Sequence, residues 1–85
     1  MATKVHVATL DTGGISHGGR EYLAVGTTPA EAKDALMRAY RSDHRVDGYP
    51  RNADDQPLNT LDRVEAWYGE LLVIEVAVGH GVRID

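Results

Sequence analysis

Apolar and polar residues alternate at the start of the chain, where Val5, Val7 and Leu10 are interrupted by His6 and Thr9. A two-residue period of this kind predicts a strand over about residues 4–10, and Tyr22-Leu23-Ala24-Val25 predicts a second. Between them lies the glycine-rich stretch DTGGISHGGR, Asp11 to Arg20. It reads as the loop of an antiparallel hairpin, longer than the tight two-residue turns. The period then changes. Ala32, Ala35, Leu36, Ala39 and Tyr40 recur at the spacing that lines one face of a helix, with Lys33, Asp34, Arg38 and Arg41 on the wet side. Thr28 offers an N-cap oxygen, Pro29 suits the first helical position, and Glu31 completes a capping box, so the helix is predicted from Pro29 to about Ser42.

From Asp43 to Asn59 the apolar pattern disappears and turn-forming residues take over, among them Asp47-Gly48-Tyr49-Pro50, Asn52 and Pro57. A connector of this length in a small domain is expected to be either mobile or functional. Asn59 or Thr60 can cap a second helix through Leu61, Val64, Trp67 and Tyr68, ending near Gly69, with Trp67 expected in the core. Leu71 to Val78 is apolar apart from Glu75 and predicts a strand buried on at least one face, and Val82-Arg83-Ile84 allows a short last one. The resulting fold class is α+β. Its order is β-β-α-α-β, with a small antiparallel sheet packed on one side by the Ala-rich helix, as a single domain over residues 1–85.

Composition narrows the class of protein. A chain of 85 residues buries only roughly 60–65% of its unfolded surface, so oligomerisation is one expected source of stability and a homodimer is anticipated. The chain contains no cysteine, which removes disulfides, thiolate zinc sites and a cysteine nucleophile and fits a cytoplasmic setting. No apolar run is long enough to span a membrane, and no signal peptide is recognisable. Thirteen acidic residues against nine basic ones give a formal charge of −4, which disfavours direct binding to nucleic acid.

The hairpin loop carries the most suggestive chemistry. Val7-Ala8-Thr9-Leu10-Asp11-Thr12-Gly13 resembles the active-site strand and turn of retroviral-type aspartic proteases. That resemblance implies a homodimer in which two Asp11 carboxylates share a proton. The family's second signature, two apolar residues and a glycine followed by Arg or Asn, is represented by Val76-Ala77-Val78-Gly79, with His80 at the last place. The same loop lacks a Walker-type ending and leads into a strand rather than a helix, which argues against a phosphate cradle. His6, His17, His44 and His80 show no helical ligand pairing, so no metal or other cofactor is expected. Ser16, His17 and Asp11 are too near in sequence to form a rigid triad.

Two further resemblances bear on function. Gly26-Thr27-Thr28-Pro29-Ala30-Glu31-Ala32 is similar to the segment that opens the helix of HicB-type antitoxins, which implies a β-β-α unit. As a whole, the chain looks like the small proteins encoded by phages and mobile elements of high-GC bacteria, anti-CRISPR proteins included. This implies an inhibitor or accessory protein that occupies a surface of a host protein. The leading expectation is therefore a non-enzymatic protein-binding module. Its contact residues are expected to be Asp11, His17 and Arg20 in the hairpin loop and Tyr49, Asp54 and Asp55 in the connector. An antitoxin-like regulator and a dimeric aspartic protease are the alternatives.

Overall fold

The computed structural model describes residues 4–13 and 20–77, with residues 46 and 47 described by their backbone only. Expectations that fall on His17, on His80 and on the short strand at residues 82–84 lie outside the described residues. The elements are β1 (Lys4–Asp11), β2 (Glu21–Gly26), α1 (Pro29–Asp47), α2 (Leu61–Tyr68) and β3 (Leu72–Ala77). This is the predicted α+β order. The strands form one antiparallel sheet in the order β2-β1-β3, with β1 in the centre.

Strand register divides the side chains between two faces. Leu10 pairs with Tyr22, Ala8 with Ala24 and Val73, and His6 with Gly26 and Glu75, so these positions share one face. That face carries the core: Ala8 and Leu10 are buried against Ala32, Leu36, Met37 and Tyr40 of α1. Gly26 is what lets β2 run so close to the start of this helix. A Cβ at Gly26 would lie 2.5 Å from the Ala32 nitrogen and 2.8 Å from the Glu31 carbonyl carbon, so any side chain there forces backbone apart.

The start of α1 follows the capping pattern with one change. Thr28 Oγ1 accepts from the Glu31 N–H at 3.1 Å. The return bonds reach one residue further back, because the Glu31 carboxylate accepts from the Thr27 N–H and hydroxyl at 3.2 and 2.9 Å. These bonds from Thr27 hold the Glu31 carboxyl below its ordinary range. The helix continues past Ser42 to Asp47, one turn beyond the expected end. The last turn has little aliphatic content, but His44 packs its ring on Tyr40 at 4.5 Å between centroids, and His44 and Arg45 suit a helix C-terminus. Gly48, at φ 84°, closes it by donating its N–H to the His44 carbonyl.

The connector is correspondingly shorter, over residues 48–60, and it is tied down at many points. Arg51 and Pro57 form a bridge that closes a small turn, inside which Asn52 Oδ1 accepts from the Asp54 and Gln56 N–H groups, both at 3.0 Å. Leu58 then enters the core and is fully buried, with its N–H donated to the Pro50 carbonyl at 2.8 Å. Arg41 of α1 holds the far side of the connector through the Asn59 carbonyl at 2.9 Å. Thr60 caps α2 by accepting from the Arg63 N–H. α2 is fastened to α1 by Lys33 and Glu65 at 3.0 Å and contributes Val64 to the core. Trp67 is a correction to the sequence-based expectation, since it is 52% exposed. Tyr68, four residues beyond Val64, takes the inward place on this short helix, and Trp67 is turned outward.

Candidate functional site

Among the described residues, no helix packs against the second face of the sheet. In register, Thr9 is flanked by Leu23 and Leu72, Val7 by Val25 and Ile74, and Val5 by Val76. Every one of these residues except Thr9 is aliphatic. Leu23 is 65% exposed, Val25 52% and Leu72 51%, while the others are partly covered by their neighbours in the sheet. Antiparallel sheets with one wet face normally place polar side chains on it. Here the outward positions are as apolar as the inward ones.

Asp11 and Glu21 pair across β1 and β2 at the hairpin end of the same face, and both are exposed. Two carboxylates in directly opposed positions repel, which gives one end of the apolar surface an acidic rim. Asp11 Oδ1 accepts from the Gly13 N–H at 3.0 Å, as an Asx turn does. A groove of about 430 Å³ opens at this end, lined by Thr9, Leu10, Asp11, Glu21, Tyr22 and Leu23.

Arg20 belongs to the opposite side of the sheet. Its Nη1 lies 2.6 Å from Asp43 Oδ2 on α1, and the Tyr22 hydroxyl donates to the same oxygen at 2.5 Å. The two donors, Tyr22 first and Arg20 second, hold the Asp43 carboxyl below the usual carboxylate range. Tyr22 responds in the other direction: burial and the bond to Asp43 push its hydroxyl up to about 12. His44 Nε2 is 3.2 Å from the same hydroxyl. Tyr40, Tyr22, His44 and Tyr49 continue the cluster as ring contacts with centroids 4.5 to 6.3 Å apart. Its fully buried centre is Tyr40, whose hydroxyl burial raises well above an ordinary phenol. The cluster clamps the base of the hairpin to the last turns of α1.

The residues expected to contact a partner are thus distributed over three places. Asp11 rims the open face of the sheet. Arg20 and Tyr49 lie in the clamp on the helix side, where Tyr49 is half-buried and its ring is 6.2 Å from Tyr40 and 6.0 Å from His44. Asp54 and Asp55 are exposed in the connector turn, where Asp55 takes a positive φ of 59° and its carbonyl accepts from Arg51 Nη1 at 2.6 Å. Leu23, Val25 and Leu72 were not singled out by sequence reasoning, although a signal was present. Tyr22 to Val25 is apolar on both alternating sets, as is Leu71 to Val78 apart from Glu75, and one amphipathic helix with one short one can cover only a single face.

The geometry also bears on the aspartic protease resemblance. Val76 pairs with Val5 and Ala77 with Lys4, so the described part of the second apolar segment lies at the end of the sheet opposite Asp11, and Val78 and Gly79 lie outside the described residues. No protein-family model, curated protein or solved structure matches the chain. No helix among the described residues is long and apolar enough to cross a membrane.

Proposed function

We propose that this chain is a non-enzymatic protein-binding module, and that it binds through the open face of its sheet. The observation that carries the reading is the set of exposed aliphatic residues Leu23, Val25 and Leu72 on a face that no helix covers among the described residues. Three strands about 4.8 Å apart and about 17 Å long make a continuous apolar surface of a few hundred Å², the size of the largest patch on an ordinary monomer, which is often its functional one. The acidic pair Asp11 and Glu21 at one end adds a polar rim, as contact surfaces usually have.

The role that fits is an inhibitor or accessory protein that occupies a surface of a host protein. Support for a host protein as the partner is the likeness of the element pattern to small phage-encoded and mobile-element-encoded proteins. Support for a non-enzymatic role is the employment of the polar groups. Asp11 is bonded to its own turn, and Arg20, Tyr22 and Asp43 are committed to one another in the clamp.

Affinity capture from the lysate of the source organism tests the reading when it is run with matched variants. Leu23→Lys and Leu72→Lys are expected to lose a stoichiometric partner that the wild-type chain retains. Retention of that partner by both variants would move the contact surface elsewhere.

A further inference from the structure

We infer that the free protein pairs with a second copy of itself through the outer edge of β2, the two β2 strands running antiparallel so that the two sheets become one, with α1 of both copies on the same side. The hydrogen-bond phase of the hairpin exposes this edge. The Thr12 N–H donates to the Arg20 carbonyl at 3.0 Å, and the two residues stand directly opposite in continuation of the β1–β2 register. Hydrogen-bonded pairs recur at every second position of an antiparallel ladder, so they fall at Leu10 and Tyr22, Ala8 and Ala24, and His6 and Gly26. The N–H and carbonyl groups of Glu21, Leu23 and Val25 therefore point away from β1, along a strand at the edge of the sheet. Among the described residues, nothing bonds to them on that side. β2 carries neither lysine nor proline, and no bulge breaks its register with β1, so the usual guards against edge pairing are missing.

The flank of α1 beside this edge makes the partner a second copy rather than an unrelated strand. Asp43 reaches Tyr22 and Arg20 of β2, whereas Lys33 and Arg41 reach α2 and the connector on the other side of the helix. The β2 side of α1 therefore runs back from Asp43 through Ala39 and Ala35, one and two steps of four residues earlier. Ala39 is exposed there and Ala35 half-buried. Asp43 lies beside Tyr22 and Ala32 beside Gly26, so Ala39 comes level with Leu23. Because α1 rides over β1 and β2, a copy joined through β2 brings its own α1 to about 10 Å, the spacing of packed helices, with small residues on both sides of the contact. A lone strand would leave that flank in water. The register follows from the outward groups: Leu23 faces Leu23 of the other copy on the two-fold axis, and Glu21 faces Val25, which gives about six backbone hydrogen bonds and keeps the two Glu21 carboxylates about 13 Å apart. The paired edges and helix flanks remove roughly 1,000 Å² in total, the lower end for specific interfaces, so the dimer is expected to dissociate on dilution. The open face is not used; it is extended across the seam from Leu23 to Leu23.

Sedimentation equilibrium from about 1 µM to about 1 mM, combined with amide hydrogen exchange followed by NMR, tests this directly. The expected mass rises from one copy to two across that range. The amides of Glu21, Leu23 and Val25 are expected to exchange about tenfold or more slowly at about 1 mM than at about 10 µM, while those of Tyr22 and Ala24, bonded to β1, are protected at both. Ala39→Arg places a long charged side chain on the exposed flank of α1. It is expected to keep the far-ultraviolet circular dichroism of the wild type and to remain a monomer throughout. A wild-type chain that is monomeric at about 1 mM overturns the inference. So does a dimer that Ala39→Arg leaves intact, or one in which the Leu23 and Val25 amides exchange as fast as in the monomer.

Discussion

Leu23 and Leu72 lie in one cross-strand row, each paired with Thr9 from a different side of β1, and both are more than half exposed. They come from strands at the two edges of the sheet, so the row runs its full width. Neither residue contributes to the core formed on the other face. Their replacement by lysine is therefore expected to leave stability within about 0.5 kcal/mol of wild type in urea unfolding of the monomer. A loss of several kcal/mol would mean that this face is covered within the chain.

Gly26→Ala tests how β2 meets α1. The added methyl group meets the Ala32 nitrogen and the Glu31 carbonyl carbon, which are backbone and cannot swing aside. Displacing them also disturbs the Thr28 cap, so a destabilisation of about 1–3 kcal/mol in chemical denaturation is expected, the usual range for overpacking.

Leu58 makes the connector a structural part of the domain. Leu58→Ala removes a fully buried side chain and is expected to lower stability by about 2–4 kcal/mol, as other buried leucines do. Asp54→Ala on the exposed turn is expected to stay within about 0.5 kcal/mol. Thermal melts of the two variants side by side give the comparison.

The Asp43 carboxyl provides the pH test. Its folded pKa lies below the ordinary 3.8 because Tyr22 and Arg20 donate to it. A depressed carboxylate contributes stability that is present above the unfolded value and is lost as the pH falls through the folded one. Glu65 acts in the same sense. Burial pushes it up, but the Leu71 N–H and the Lys33 ammonium outweigh burial and hold it below 4.5. Acid unfolding is therefore expected to begin below these ordinary carboxylate values. Tyr22→Phe removes the first donor to Asp43, so the Asp43 side-chain carbon, followed by NMR, is expected to titrate at a higher pH than in the wild type.

The parts of the fold that local chemistry dictates were readable from the chain. Thr28, Pro29 and Glu31 mark the start of α1 because capping involves residues within one turn. Even so, the return bond from Glu31 to Thr27 rather than Thr28 depends on the chain path out of β2. The extra turn of α1 was hidden because its support is the packing of His44 on Tyr40, which no periodicity of aliphatic residues announces. Leu58 stands alone among polar neighbours, and its burial follows from the closure of the Arg51–Pro57 turn. At the candidate site, Asp11 was singled out and Leu23, Val25 and Leu72 were not. Alternation shows that both faces of β2 and β3 are apolar, but only the placement of α1 decides which one is left open.

The most direct test of the central claim is cysteine protection on the open face. Single cysteines at Leu23 and at Asp54 are labelled with maleimide in the dilute free protein and in complex with the captured partner. Slower labelling at position 23 in the complex, with position 54 unchanged, is the predicted result. Unchanged labelling at position 23 with protection at position 54 would contradict it and place the contact on the connector.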